Sequence, residues 1–267
     1  MDIKTHKTGE MDEFLICAQQ MADSAGEHIL QVNLKSFKSE IKPDGSPVTE
    51  VDKKTEDIIR DLITHRYPHH GISGEERQAV NPGAEYTWVT DPIDGTLAFL
   101  AGLPVFGTLI ALVNDSVPIL GIIDMPVTGE RWIGQQGKPT LKNGAVVKTS
   151  ACRDLSKALL STSNPDDYSE DDYSVFNKMK FSARQTVYGG SCMAYAQIAT
   201  GRIDIGIDAE FDIHDFLPYV PIIEGAGGCI TDYNGNAFTH DSGITNIVAT
   251  GNSYLHEQAL RYCLRQV

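Results

Sequence analysis

The sequence has no apolar run long enough to cross a membrane. Its longest strongly apolar stretches, such as residues 109–113, fall far short of the roughly 20 residues that a span needs. Cysteine offers no framework either: Cys17, Cys152, Cys192, Cys229 and Cys263 are scattered, odd in number and without a CxxC pair. That pattern argues against a thiolate zinc site or a disulfide scaffold and suits a reducing cytosol. Positive charge is scarce, with 22 Lys and Arg against 36 Asp and Glu, a formal net charge of −14, and no basic stripe. Nucleic-acid binding is therefore not expected as a main activity. The polar opening residues 1–14 lack the apolar core of a signal peptide. There is no internal repeat and no low-complexity tract. No GxxxxGK[ST] loop points to ATP-dependent phosphoryl transfer, and no GxSxG or Cys/His pair points to a covalent nucleophile.

What remains is an ordinary globular composition, 41% hydrophobic and 22% charged over 267 residues. That length suits one large domain or two joined lobes. Residues 11–33 carry Phe14, Ala18, Met21, Ala22, Ala25 and Ile29 at helical spacing, the pattern of an amphipathic opening helix. After a Pro/Gly/Ser loop containing Asp44, Thr49 is placed to cap a second helix with Asp52 three residues on. Asp44, Thr49 and Asp52 suit loop and cap roles as well as catalytic ones. His69-His70 reads as a solvated turn, and Glu75-Glu76 follows a short strand. Residues 106–113 and 117–124 form a β-hairpin signal with a loop somewhat longer than two residues. A change of composition near 148–160 divides an N-terminal α+β lobe, 1–150, from a C-terminal α/β lobe, 151–267.

The chemistry concentrates in WVTDPIDGT, residues 88–96. Trp88 and Val89 read as a strand, which ends in two carboxylates, Asp91 and Asp94, three positions apart and followed by Gly95-Thr96. An Asp-Gly turn explains Gly95, but not Asp91 or the other acids of the chain. The second acidic concentration is Asp208, Glu210, Asp212 and Asp215, where Asp215 is placed as N-cap of a helix carrying Phe216, Val220 and Ile223. Glu75, Asp91, Asp94 and Asp215 together suit Mg²⁺, because oxygen donors without Cys or His favour a hard cation. Two or three such ions would neutralise a phosphate, activate a water and stabilise the leaving oxygen. Gly95 and Thr96, opening a helix, would offer their N–H groups to phosphate oxygens.

GEE (74–76), WVTDPIDGT (88–96) and the acidic helix start before IIEGAGG (222–228) resemble the signature set of the inositol monophosphatase superfamily, with likeness from residue 46 to the C-terminal helix. The resemblance implies a layered αβαβα sandwich combining α+β and α/β character. It implies a Mg²⁺-dependent phosphomonoesterase, with Mn²⁺ as a possible substitute, acting as a homodimer on a small-molecule phosphate monoester. By residue, it implies that Glu75, Asp91 and the Ile93 carbonyl hold a first ion, and Asp91, Asp94 and Asp215 a second. Asp215 is taken over Asp212 from its spacing to Ala226. Glu75 and Thr96 would orient the attacking water, and Gly95-Thr96 would bind the phosphate.

The run from Phe99 to Leu112, PVTGERWIG (126–134), TSNP (162–165) and YGG (188–190, ending in Gly190) resemble the histidinol-phosphate phosphatase branch. Four residues bear on the substrate. Leu97 stands where that branch has a basic residue, Ser191 where it has Asp, Asp208 where a Glu would meet the substrate, and His214 where the superfamily has Trp, facing the substrate region. Histidinol phosphate is thus the leading expectation and an inositol or sugar monophosphate the alternative. A non-catalytic scaffold that kept the fold is a third reading.

Overall fold

The computed structural model describes residues 8–32, 38–42 and 47–264; the first seven residues and the Asp44 loop lie outside that range. In chain order the helices are α1 (Thr8–Gln31), α2 (Glu50–Arg66), α3 (Thr96–Ala101), α4 (Glu170–Ser182), α5 (Ser191–Ala199), α6 (Ile213–Phe216), α7 (Tyr219–Gly225) and α8 (Ser253–Cys263). The strands are β1 (Ser39–Ile41), β2 (Pro47–Thr49), β3 (Gly71–Gly74), β4 (Tyr86–Asp94), β5 (Gly107–Asn114), β6 (Val117–Met125), β7 (Glu130–Gln135), β8 (Leu141–Lys142) and β9 (Ala145–Val146). They continue with β10 (Leu159–Thr162), β11 (Gln185–Tyr188), β12 (Ile205–Phe211), β13 (Cys229–Asp232) and β14 (Thr245–Thr250).

Strands β3 to β9 form a seven-stranded sheet in sequential order, antiparallel except for the β3–β4 pair. Strands β11-β10-β12-β14-β13, in that order, form a five-stranded mixed sheet. Alternation along the strands sends side chains to opposite faces, which builds three apolar layers. Trp88, Ile110, Leu112 and Ile122 pack with Phe14, Met21 and Ile59 of α1 and α2. From the other face, Val89, Leu109, Ile123 and Trp132 meet α5, α7 and the inner residues Ile247 and Ala249 of the second sheet. The outer face of that sheet, with Leu160, Ile205 and Val248, is covered by Phe176 and Met179 of α4 and Leu255 and Ala259 of α8. Helix, sheet, helix, sheet, helix is the layered order expected.

Some local expectations change. The β5–β6 loop is two residues long, not longer: Asn114 pairs with Val117, and Asp115 and Ser116 both take positive φ, the geometry whose twist matches a tight hairpin. His70 is not a solvated turn residue. Its ring stacks on Tyr67 and Tyr86 and accepts the Trp88 indole N–H at Nδ1, 3.2 Å. The helix after residue 212 is interrupted: hydrogen bonding lapses around Leu217-Pro218, since Pro218 has no N–H, while both residues keep helical angles. Thr49 caps α2 with Asp52 closing the box, as read from the sequence.

Candidate active site

Residues three apart on a regular strand point to opposite faces, so Asp91 and Asp94 could not converge on an undistorted β4. A bulge supplies the missing parity. Asp91 pairs with Leu109 and Asp94 with Gly107, leaving one extra residue on β4 at Pro92-Ile93. Thr108 secures the bulge by donating its hydroxyl to the Pro92 carbonyl at 2.9 Å, and the Ile93 N–H donates to Asp91 Oδ1 at 2.9 Å. Both aspartates are buried, and each offers an oxygen that lies within 4.8 Å of the other and of an Asp215 oxygen.

The second sheet's helices complete the group. Asp94 Oδ2 accepts the Cys192 N–H, 2.6 Å, at the start of α5. Asp215 is not the N-cap of its helix: Asp212 is, and Asp215 sits three residues on, with Oδ2 accepting the Asp212 N–H at 2.8 Å. This closes a capping box and fixes the Asp215 carboxylate. Burial, then the charges of neighbouring acids, pushes Asp91 and Asp215 well above the usual carboxylate range; burial pushes Asp94 up to about 6. Glu75 lies outside the tight trio, yet its charge acts on all three. It is solvent-exposed at the end of β3, and its Oε1 accepts from Lys42 Nζ at 2.6 Å; the same ammonium reaches Glu76 Oε1 at 2.6 Å.

Thr96 opens α3, with its hydroxyl 3.1 Å from the Ile93 carbonyl and 3.3 Å from Asp52 Oδ1. Asp52 is fully buried, held by the Thr49 N–H and hydroxyl. Gly95 sits at φ +81, and a Cβ there would meet Ser191 Oγ at 2.8 Å, so only glycine lets the α3 start and the α5 start touch. Ser191 itself has φ +44 beside the Gly190 cap, and Leu97 projects into solvent, 68% exposed.

Two residues expected to meet substrate are engaged by groups of the chain itself. Asp208 is buried among five donors: Thr162 and Ser163 hydroxyls, the Ser163 N–H, and the Tyr168 and Tyr195 hydroxyls at 2.8 and 2.6 Å. Its carboxyl, raised by burial to about 6, is engaged by these partners beside the second sheet. A shorter acid on β12 is reachable by both tyrosines, which no local motif signals. His214 is mostly buried, with Nε2 3.2 Å from Ser73 Oγ on β3 and Nδ1 3.5 Å from Asp212 Oδ1. It ties α6 to the first sheet; burial lowers its pKa.

The trio is a fit for a hard divalent cation. Oxygen is the only donor type, and carboxylates this close in a buried place repel one another unless protonated or bridged by positive charge.

A family model described as the inositol monophosphatase family matches residues 10–266. A protein from Arabidopsis thaliana named bifunctional phosphatase IMPL2, chloroplastic, is 41% identical, covering 94% of this chain and 75% of that protein. A histidinol-phosphatase from Chlorobaculum parvum is 31% identical over 82% of this chain and 85% of its own. Among solved structures, an inositol monophosphatase from Zymomonas mobilis superposes with a TM-score of 0.85 at 36% identity, covering 97% of this chain and 99% of that one.

Proposed function

This chain belongs to the inositol monophosphatase family and is a phosphatase, and we propose that it hydrolyses histidinol phosphate with Mg²⁺ held by Asp91, Asp94, Asp215 and Glu75. The observation that carries the reading is the convergence of the three aspartate oxygens within 4.8 Å, from a strand bulge in one sheet and a capped helix beside the other.

Divalent cations bound there would supply charge to the phosphate oxygens, a more acidic water and a stabilised leaving oxygen. The rest falls to the chain's own groups. Asp91 would be the residue shared by the cations, with Glu75 and the Ile93 carbonyl on one side of the set and Asp94 and Asp215 on the other. The N–H groups of Gly95 and Thr96 face the phosphate. Glu75 and Thr96 orient the attacking water, and the Thr96 hydroxyl can take its proton while passing its own to Asp52 Oδ1, 3.3 Å away.

Histidinol phosphate as substrate rests on the names of the relatives and on the motifs between Phe99 and Gly190. A second reading, an inositol or other polyol phosphate, is favoured by Ser191. Its hydroxyl lies against the α3 start, where a carboxylate would better bind a cationic amine. A homodimer is part of the same proposal.

The test is phosphate release from histidinol phosphate, inositol 1-phosphate, fructose 1,6-bisphosphate and adenosine 3′,5′-bisphosphate, with Mg²⁺ and with EDTA. A preference of about tenfold for histidinol phosphate, roughly 1.4 kcal/mol in the barrier, is expected. The reverse preference selects the polyol reading. Turnover that survives EDTA would remove the cation from the proposal, and no turnover on any monoester would leave a scaffold.

A further inference from the structure

Helix α2 has a polar face directed at the site. Asp52, Glu56 and Arg60 lie four residues apart, so their side chains stack along one face. Asp52 reaches Thr96. Glu56, fully buried, accepts the Glu76 N–H at Oε2 and the Arg60 Nε–H at Oε1, each 2.6 Å. The Arg60 guanidinium goes on to the carbonyls of Arg77 and Gln78, at 3.1 and 2.9 Å. A Cβ on Gly74 would overlap the Glu56 carboxylate, so the strand end lies flush on it.

From these contacts we infer that Glu56, braced by Arg60, is a positioning residue for Glu75. The inference rests on the phosphatase reading for what Glu75 does, but not for how Glu75 is held. The backbone of Glu75 is pinned on both sides. Its own N–H donates to the Thr90 carbonyl at 3.2 Å, and the next N–H donates to Glu56. With Gly74 unable to move inward, the Glu75 side chain starts from a fixed backbone, Lys42 holds its tip, and its charge is felt at Asp91.

A carboxylate buried only for stability would be an odd choice, because such a pair rarely outperforms an apolar pair of the same volume. Four hydrogen bonds that join Glu56 and Arg60 to each other and to the turn after β3 are better explained by the demand for close placement of Glu75. One rigid helix face then sets Thr96 through Asp52 and Glu75 through Glu56, which fixes the distance between the two residues that orient the water.

The experiment is a double-mutant cycle on Mn²⁺ binding, followed by the electron paramagnetic resonance of free Mn²⁺, in the full chain. Glu56→Gln alone and Glu75→Gln alone are each expected to weaken binding by about tenfold or more, the usual cost of loosening the support of a ligand. Together they are expected to cost little more than Glu75→Gln alone, because Glu56 acts through Glu75. In turnover, Glu56→Gln should lower kcat with a smaller change in KM. Arg60→Met carries the same cycle if Glu56→Gln does not fold, and Arg60→Lys should restore part of the loss. The inference is overturned if a folded Glu56→Gln or Arg60→Met protein binds Mn²⁺ within about twofold of the unchanged chain, or if the losses simply add. Failure of the unchanged chain to release phosphate would instead sink the proposed function, and the Mn²⁺ cycle would still decide the role of Glu56.

Discussion

At the scale of single residues, three aspartates brought within 4.8 Å of one another work against the fold unless something positive joins them. Asp91 is the residue where this shows most plainly, since burial and the charges of Glu75, Asp94 and Asp215 all raise its carboxyl. Asp91→Asn removes a charge but keeps an oxygen able to accept the Ile93 N–H, so the bulge has no reason to open. The variant is expected to lose activity by about a hundredfold or more. Its melting temperature in EDTA should not fall below that of the unchanged chain. Mg²⁺ should raise the melting temperature of the unchanged protein and leave that of the variant where it was. Phosphate release and thermal melts, each with and without Mg²⁺, check this. A folded Asp91→Asn protein with near-normal turnover would remove Asp91 from the site.

Asp208 marks the opposite case, a buried acid whose partners are all hydroxyls and an amide of the chain itself. Tyr195 carries this network toward the site: its ring stacks on Tyr219 at 4.5 Å, and Tyr219 lies in the layer between the two sheets. The acid therefore shapes the wall behind α5, not its exposed rim.

At the scale of elements, the placement of Asp215 depends on how closely α6 and α7 lie on the first sheet. Gly121 on β6 and Gly134 on β7 permit it: a Cβ at Gly121 would collide with the Pro218 carbonyl, and one at Gly134 with the backbone of Pro221 and Ile222. Gly121→Ala should push the α6–α7 segment outward and carry Asp215 away from Asp91 and Asp94. We expect a stability loss of about 1–3 kcal/mol from overpacking and a fall in kcat of about tenfold or more from misplacement. Urea denaturation and steady-state phosphate release measure the two. Unchanged values in both would show that the segment does not rest on this contact.

This is also the scale at which the sequence stops being legible. The opening helix, the Thr49–Asp52 cap and the strand running into Asp91 could be read because periodicity and capping are local signals. Asp91, Asp94 and Asp215 could be nominated because their motifs are local. The bulge that turns Asp91 and Asp94 the same way could not be read, since register depends on the partner strand. Neither could the role of Asp212 as cap, which depends on where the helix breaks. Glu56 was invisible for another reason: on α2 it looks like one more helical acid, and only its distance to the 74–76 turn distinguishes it.

For the whole molecule, the buried titrating groups set opposite slopes in pH. Asp91, Asp94 and Asp215 have folded pKa values above the unfolded value of about 3.9, so the stability they contribute is fully present below that pH and is lost as pH rises. Asp94 and Asp208 complete their loss by about 6, and Glu76, raised by burial, by about 7. His256, buried between the Thr231 and Thr250 hydroxyls, is lowered by burial to about 4. Its contribution is therefore present above the unfolded value of about 6.5 and is lost as pH falls toward 4. Below about 6.5 the two slopes oppose each other; above it His256 no longer contributes, and the remaining slope is that of the raised carboxyls, Glu76 up to about 7 and Asp91 and Asp215, which lie well above the usual range. Metal-free protein should therefore lose stability, and melt at lower temperature, as pH is raised past about 6.5, with a slope of up to about 1.4 kcal/mol per pH unit for each carboxyl still protonated in the fold. Saturating Mg²⁺ should flatten the slope, since the cation replaces the protons. Asp91→Asn should shrink the slope in EDTA, and His256→Gln should leave it unchanged while flattening the acid side. Melting curves from about pH 5 to 8.5 in EDTA and in Mg²⁺ decide it. An alkaline slope of the same steepness in both conditions would mean that the trio is not where the cation binds.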